Sequence, residues 1–129
     1  TNKWLKSIMT YDDNNIFAKI LRGEIPCKKI YEDNFVLSFY DINPQKKIHA
    51  LVIPKGKYID LDDFSQNASS EEIVGFLKGI NLVAKKLGIS VDTGKGYRAL
   101  TNISEDGGQE VPHFHFHLFG GEKIGKMVV

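Results

Sequence analysis

The chain has 129 residues, of which 42% are hydrophobic and 26% charged, and its formal net charge is +1. This length suits a single domain with its own core, and the near-neutral charge excludes a general binder of nucleic acids or membrane surfaces. Because the only cysteine, Cys27, cannot form an internal disulfide, we expect a reducing, cytoplasmic environment.

The first helix is predicted over residues 16–21. Residues 12–15 are typical of a helix N-cap, the apolar side chains that follow share one helical face, and Gly23 can end the helix. We expect residues 1–13 to form a flexible extension and residues 14–129 to form the single domain.

Five later segments have the alternation and the β-branched or aromatic composition of strands. They are residues 29–32, 36–40, 48–53, 97–102 and 113–119. Between the third and fourth strands, Ser69 and Glu72 have capping-box spacing and begin a long amphipathic helix, which Gly88 ends. The acidic segment 58–67 before this helix is expected to be irregular. The order of elements predicts an α+β fold, an antiparallel five-stranded sheet with one long and one short helix.

The last predicted strand contains three of the four histidines of the chain, His113, His115 and His117. Successive side chains of a strand point to opposite faces, so these imidazoles are expected to share one face. The side chains expected to point into the core are Phe114, Phe116 and Leu118.

Three interpretations of the histidines remain open from the residues alone. The alternation is compatible with a polar strand surface that faces solvent. It is also compatible with a metal site, in which His49, Asp41 or Glu110 supplies a further ligand. The third interpretation is nucleophilic catalysis at phosphorus or carbon, since a neutral imidazole is a good nucleophile near neutral pH. The upstream loop 107–109 is glycine-rich and could present backbone N–H groups to an anion, which favours a phosphate ester or amide as substrate.

The histidine segment resembles a known family signature. Residues 113–119 match His-φ-His-φ-His-φ-φ, where φ is apolar, which is the signature of the histidine triad (HIT) superfamily. Further stretches resemble the Hint branch of this superfamily in the same order: 16–20, 24–26, 40–44, 49–54, 96–98 and 107–109.

This resemblance implies a hydrolase of nucleoside 5′-phosphoramidates, typically of purines, that needs no cofactor and no metal. By position, His115 is the nucleophile and becomes transiently nucleotidylated, His117 and His113 polarise or protonate groups around the phosphate, and His49 supports the cluster. A dinucleoside polyphosphate hydrolase, as in the Fhit branch, and a nucleotide-binding interaction module with residual catalysis are the alternatives.

The resemblance also implies a nucleotide-binding pocket and a homodimer, which is expected to form through the long helix and the strand around residues 96–98. The candidate nucleotide-binding residues are Ile16, Phe17, Ile20, Phe39, Asp41, Ile42, Asn102, Gly108, Gln109 and Glu110. Glu110 departs from the pattern, because many members of the branch carry a small hydroxyl residue there. A carboxylate repels a phosphate, so Glu110 is expected either to turn away or to pair with the amine of the substrate.

Overall fold

A computed structural model describes residues 10–128 of the chain. Its helices are α1 (Ile16–Leu21), α2 (Leu61–Asn67) and α3 (Ser70–Lys86), and its strands are β1 (Lys29–Glu32), β2 (Val36–Tyr40), β3 (Ile48–Pro54), β4 (Arg98–Leu100) and β5 (Phe116–Gly120). The strands form one antiparallel sheet in the order β1-β2-β3-β5-β4. The predicted α+β class and five-stranded antiparallel sheet are confirmed. Between residues 10 and 128, no helix is long and apolar enough to cross a membrane.

The last strand is shorter than predicted, because it begins at Phe116 rather than at residue 113. The backbone N–H of Phe114 donates to the carbonyl of Tyr58 at 2.7 Å instead of joining the sheet. The ladder between β3 and β5 therefore starts where Phe116 lies opposite Val52. As a consequence, His113 and His115 lie in an extended segment that leads into the sheet.

The segment predicted to be irregular contains α2, so that prediction is wrong for residues 61–67. The Asp60 carboxylate caps the helix by accepting from the N–H of Asp63 at 2.8 Å, and acidic side chains occupy the first turn, where the helix dipole favours them. Phe64 is the one buried side chain of this helix. Two apolar side chains in seven residues, Leu61 and Phe64, are too short a signal for hydrophobic periodicity to detect.

The long helix α3 covers one face of the sheet. It begins with the predicted capping box, in which Ser69 and Glu72 bond each other's backbone N–H groups. Two glycines allow the helix to lie close to the strands, because a Cβ on Gly75 would come within 2.3 Å of the Phe35 ring and one on Gly79 within 2.8 Å of Val36. The result is a core of apolar side chains between α3 and the sheet.

The opposite face of the sheet carries a second, smaller core beneath α1. Successive residues of β3 divide between the two faces: Ala50 and Val52 belong to the core under α3, and Leu51 and Ile53 belong to the core under α1. Phe17 of α1 packs edge-on against Phe39 of β2, with ring centroids 5.5 Å apart. This second face continues into the region of the histidines.

Candidate active site

A cavity of about 500 Å³ opens on the second face of the sheet, where β3 and β5 meet the loop that precedes β5. Its walls are formed by Phe17, Asp41, Asn43, Gln45, His49, Leu51, Leu100, Asn102, Gly108, Glu110, Val111, His115, His117 and Phe119. Three of the four histidines line this cavity.

The hydrogen bonds of His115 determine which of its ring nitrogens is free. Its Nδ1 lies 2.6 Å from the carbonyl oxygen of His113, and because a carbonyl can only accept, Nδ1 carries the proton. In a neutral imidazole the lone pair is then on Nε2. Thr101 holds the same residue by its backbone, since its hydroxyl donates to the His115 carbonyl at 2.6 Å. His115 therefore presents an oriented, neutral imidazole with a free ring nitrogen on the wall of the cavity.

A chain of hydrogen bonds also orients His117. The backbone N–H of Gln45 donates to Nδ1 of His49 at 3.2 Å, so the proton of the neutral His49 ring lies on Nε2. This Nε2 lies 2.9 Å from Nδ1 of His117 and donates to it. His117 consequently carries its own proton on Nε2, which makes it a hydrogen-bond donor at the cavity.

His113 lies on the same side of the sheet as the other two histidines, with its ring centroid 6.3 Å from that of Phe17, but it is buried and does not reach the cavity wall. Its side chain is 0% exposed, and its Nε2–H donates to the carbonyl of Pro54 at 3.0 Å. The rings of Tyr11 and Phe17 meet the His113 ring edge-on, with centroids 5.6 Å and 6.3 Å away. What His113 contributes to the cavity is its carbonyl oxygen, which accepts from His115.

Burial keeps the imidazoles neutral. It lowers the pKa of His113 and of His117 to about 4, and in His117 the neighbouring His115 and His49 act in the same direction. Burial also lowers the pKa of His115, against the opposing influence of the His113 carbonyl and the Asp41 and Glu110 carboxylates. The pKa of His49 is lowered by burial as well, although the Asp41 carboxylate opposes this. At neutral pH the lone pair of His115 is thus available for attack.

The fixed charges on the cavity wall are negative. Asp41 and Glu110 contribute carboxylates, and neither lysine nor arginine is among the lining residues. Asp41 accepts from the N–H of Asn43 at 2.8 Å with one oxygen, and its other oxygen lies 3.5 Å from Nε2 of His49. A bound phosphate would therefore be held by neutral N–H and amide donors and not by cationic side chains.

The predicted nucleotide-binding residues divide into two groups. Those that line the cavity are Phe17, Asp41, Asn102, Gly108 and Glu110. Those that lie outside its wall are Ile16, Ile20, Phe39, Ile42 and Gln109. Among these, Phe39 is buried behind Phe17 and Ile42 is 87% exposed on the loop after β2.

Two of the three backbone N–H groups that the glycine loop was expected to present to an anion are engaged within the loop. The N–H of Gly108 donates to the Glu105 carbonyl at 3.1 Å, and the N–H of Gln109 donates to the Ser104 carbonyl at 3.0 Å. The Gln109 side chain is also engaged, because its amide nitrogen donates to the carbonyls of Ile59 and Val111. The loop is thus tied to itself and to its neighbours, and in this conformation it shapes the cavity wall.

The residues raised by the metal interpretation come together in part. One ligand atom from each of Asp41, His49 and His117 lies within 4.8 Å of the others. The two imidazole nitrogens, however, are 2.9 Å apart and share a hydrogen bond. A tetrahedral zinc at about 2.0–2.1 Å from each nitrogen would hold them about 3.3 Å apart and would displace the shared proton. A metal and the hydrogen-bond chain of His49 and His117 therefore exclude each other.

Phe119 and Thr101 contact the histidines and were among the neighbours that sequence reasoning missed. Phe119 stacks on His117, with ring centroids 5.8 Å apart and planes at 5°, and lies 4.3 Å from His49. It continues the alternation of 113, 115 and 117, so the period of the strand could have identified it. Thr101 has no such signal, because its contact with His115 depends on the pairing of β4 with β5.

Comparisons with known proteins agree with this arrangement. A family model described as the HIT domain matches residues 22–124. An uncharacterized 13.2 kDa HIT-like protein from Azospirillum brasilense is 53% identical over 119 residues, which are 92% of this chain and 95% of the relative. A HIT family hydrolase from Clostridium thermocellum is 36% identical with a TM-score of 0.81, covering 92% of this chain and 99% of that chain. A histidine triad nucleotide-binding protein from Candida albicans is 33% identical with a TM-score of 0.70, covering 81% of this chain and 73% of that chain.

Proposed function

Because the chain belongs to the HIT domain family, we propose that it hydrolyses nucleoside 5′-phosphoramidates, with purine nucleosides preferred, through a nucleotidyl-histidine intermediate on His115. The observation that carries the proposal is the hydrogen bond from Nδ1 of His115 to the His113 carbonyl, which leaves the Nε2 lone pair for attack. A relative described as a hydrolase and another described as nucleotide-binding support the same reaction class.

In the first step, Nε2 of His115 attacks the α-phosphorus and the phosphorus–nitrogen bond breaks. The amine departs with a proton, and the nucleotide remains attached to Nε2. The Nε2–H of His117 is the donor best oriented to assist, because the His49 chain fixes its tautomer. The cluster is neutral before substrate binds, and a negatively charged phosphate raises the pKa of a neighbouring imidazole, so His117 takes up a proton from solvent in the complex and gives it to the departing amine.

In the second step, a water molecule attacks the same phosphorus and breaks the bond to His115. The products are the nucleoside monophosphate and the free imidazole, so the enzyme returns to its starting state. His117 takes up the proton that the water loses, which reverses its role in the first step. Positioning and hydrogen-bond donors are the main requirements of phosphoryl transfer, and the described residues supply both.

The base and ribose are proposed to bind beside Phe17 and Asp41. The Phe17 ring meets the His115 ring edge-on, with centroids 5.0 Å apart, and therefore gives the base an aromatic wall next to the nucleophile. A carboxylate such as Asp41 can accept hydrogen bonds from both ribose hydroxyls. Asn102 supplies an amide to the phosphate end. Ile42, which lies outside the wall on the loop after β2, would reach the base only through a movement of that loop.

Glu110 is proposed to face the leaving group. Of the two behaviours expected for this carboxylate, pairing with the substrate amine agrees better with its position on the cavity wall. With no lysine or arginine among the lining residues, a cationic amine substituent would offset the repulsion between Glu110 and the phosphate.

The decisive experiment is hydrolysis of adenosine 5′-phosphoramidate in excess EDTA, with the wild type beside His115→Ala. We expect turnover by the wild type and a loss on the order of 10³-fold or more in the variant, since the nucleophile is removed. His49→Ala is the matched comparison and should lose less, because its ring acts through His117. Equal turnover by wild type and His115→Ala would contradict the proposal.

The same assay separates the alternatives. Turnover that appears only after zinc is added would favour the metal interpretation at Asp41, His49 and His117. Faster cleavage of a dinucleoside polyphosphate would favour the polyphosphate hydrolase. Binding of adenosine monophosphate without any turnover would indicate an interaction module.

We also propose that the protein is a homodimer. The sheet ends at β4, which leaves one edge of that strand without a partner within residues 10–128, and α3 exposes Val74, Leu77 and Leu82. A second copy could extend the sheet across β4 and cover these apolar side chains. Sedimentation velocity should give a dimer for the wild type and a monomer for Leu77→Asp; a monomeric wild type would contradict this.

A further inference from the structure

One contact of the histidine cluster comes from a residue outside the matched family region. Tyr11 precedes residues 22–124, which match the HIT domain, and belongs to the segment predicted to be an extension. Its hydroxyl nevertheless lies 2.6 Å from Nδ1 of His113. The two rings meet nearly at right angles, at 73°, with centroids 5.6 Å apart.

The residues that follow Tyr11 are held by an ion pair and by hydrogen bonds. Lys57 forms an ion pair with Asp13 at 2.8 Å, and Arg22 donates to the Asp13 carbonyl at 2.8 Å. The side chain of Asn15 donates to the Asp12 carbonyl at 2.7 Å while it caps α1. These bonds connect residues 12–15 to the folded domain and keep the Tyr11 ring against His113.

The direction of the hydrogen bond follows from the other end of the His113 ring. Nε2 faces the carbonyl of Pro54 and must carry the proton, so Nδ1 of the neutral ring is an acceptor. Within residues 10–128, Tyr11 is the donor to this atom. The His113 side chain is 0% exposed, so without this hydroxyl a bare acceptor would remain in the interior, which is costly.

We propose that Tyr11 is a positioning residue for the histidine cluster. Its hydroxyl donates a hydrogen bond to Nδ1 of His113 and so fixes that ring. The fixed residue keeps its carbonyl in place to accept the hydrogen bond from the Nδ1–H of His115. The chain of contacts runs from the Tyr11 hydroxyl, through a ring held at both nitrogens, to a carbonyl 2.6 Å from the nucleophile's Nδ1. Tyr11 touches no reacting atom in this scheme. Its effect is to favour the tautomer of His115 that has its lone pair on Nε2.

Tyr11→Phe tests this inference, because it keeps the ring and its edge-on packing and removes only the hydroxyl. The matched control is Tyr31→Phe, which also loses one hydroxyl bond, to the Asp33 carboxylate at 2.8 Å, on β1 and away from the cavity. The first readout is ¹⁵N NMR of the imidazoles, which reports tautomers without any substrate. We expect wild type and Tyr31→Phe to have a single Nδ1–H tautomer at His115, and Tyr11→Phe to have a mixture at His113 and His115.

The second readout is steady-state kinetics with adenosine 5′-phosphoramidate, and it rests on the proposed function. Loss of one hydrogen bond, worth about 1 kcal/mol, should lower kcat about fivefold in Tyr11→Phe and leave KM unchanged. Unchanged tautomers at both histidines would overturn the inference, as would a fall in kcat that Tyr31→Phe reproduces. An inactive wild type would contradict the proposed reaction alone, because the NMR comparison would still test Tyr11.

Discussion

The two faces of the sheet receive alternate residues of the same strands and use them in opposite ways. On the face under α3, the ring of Phe114 stacks on Phe64 at 4.8 Å and lies 5.0 Å from Phe76, and this aromatic face is closed to solvent. On the other face, His115 and His117 line a cavity, and this histidine face keeps its polar groups paired by hydrogen bonds. Within the dipeptide 114–115, the first residue therefore contributes to stability and the second is proposed to contribute to catalysis.

The largest expected effect comes from replacing each residue of this dipeptide. Phe114 is 1% exposed, so Phe114→Ala should lower the free energy of unfolding by about 3–5 kcal/mol through the cavity it leaves. The folded fraction should still turn over substrate. Chemical denaturation and activity of both Phe114→Ala and His115→Ala measure the two properties separately.

His115→Ala is expected to give the reverse result, with activity lost and a much smaller change in the free energy of unfolding. The His115 side chain borders a cavity that water can enter, so its truncation enlarges a hydrated space and costs less stability than an empty space in the core. If His115→Ala proved as unstable as Phe114→Ala, the proposed division between the two faces would be wrong.

The second expected effect is a loss of stability in acid, which should begin when the buried histidines become protonated. The pKa of His113 and of His117 is lowered from 6.5 to about 4 in the folded chain, so between these values the unfolded chain binds more protons. Stability is therefore fully present above pH 6.5 and is lost as pH falls toward 4. Urea denaturation midpoints should fall across this range.

The loss of stability caused by the histidines can be distinguished from general acid denaturation, because the carboxylate of Glu32 loses its contribution only at a lower pH. Lys29 and Lys55 lower the pKa of Glu32 from 4.5 to about 2, so the stability that this group contributes is lost only below pH 4.5. His117→Gln should show a smaller fall in the urea midpoint above pH 4.5 than the wild type does. An equal fall in both proteins would mean that His117 does not carry this dependence.

The smallest expected effect concerns selectivity at the edge of the histidine face. Exposed ion pairs are worth up to about 1 kcal/mol, so Glu110 should favour a phosphoramidate with a cationic amine over a neutral one about fivefold. The ratio of the two kcat/KM values should approach one in Glu110→Gln and at high salt. Glu105→Gln is the control, because Glu105 is an exposed residue of the same loop outside the cavity wall. A ratio that Glu110→Gln leaves unchanged would contradict the proposed contact.

Much of the fold could be predicted because its signals are local. The alternation of 113–119 assigned Phe114 and Leu118 to the core, and the capping box located the start of α3. These patterns arise within a few residues, where the period of a strand or the geometry of a cap is the same in every protein. The same segment contains the family signature, which identified the chain and its candidate nucleophile.

The rest depends on which distant segments meet, and the sequence alone does not encode that locally. His49 and His117 are 68 positions apart and share a hydrogen bond because β5 lies beside β3. The Tyr58 carbonyl accepts from the N–H of Phe114, and the Pro54 carbonyl accepts from Nε2 of His113, which is buried beneath the histidine face. Tyr11 then reaches that ring from 102 positions away. The sequence by itself determined the family and most of the elements with their buried faces, although not α2 or the start of β5. The hydrogen-bond chain of His49 and His117, the pairing of His113 and the cavity wall were decided by tertiary structure, since each requires remote groups to come within about 3 Å.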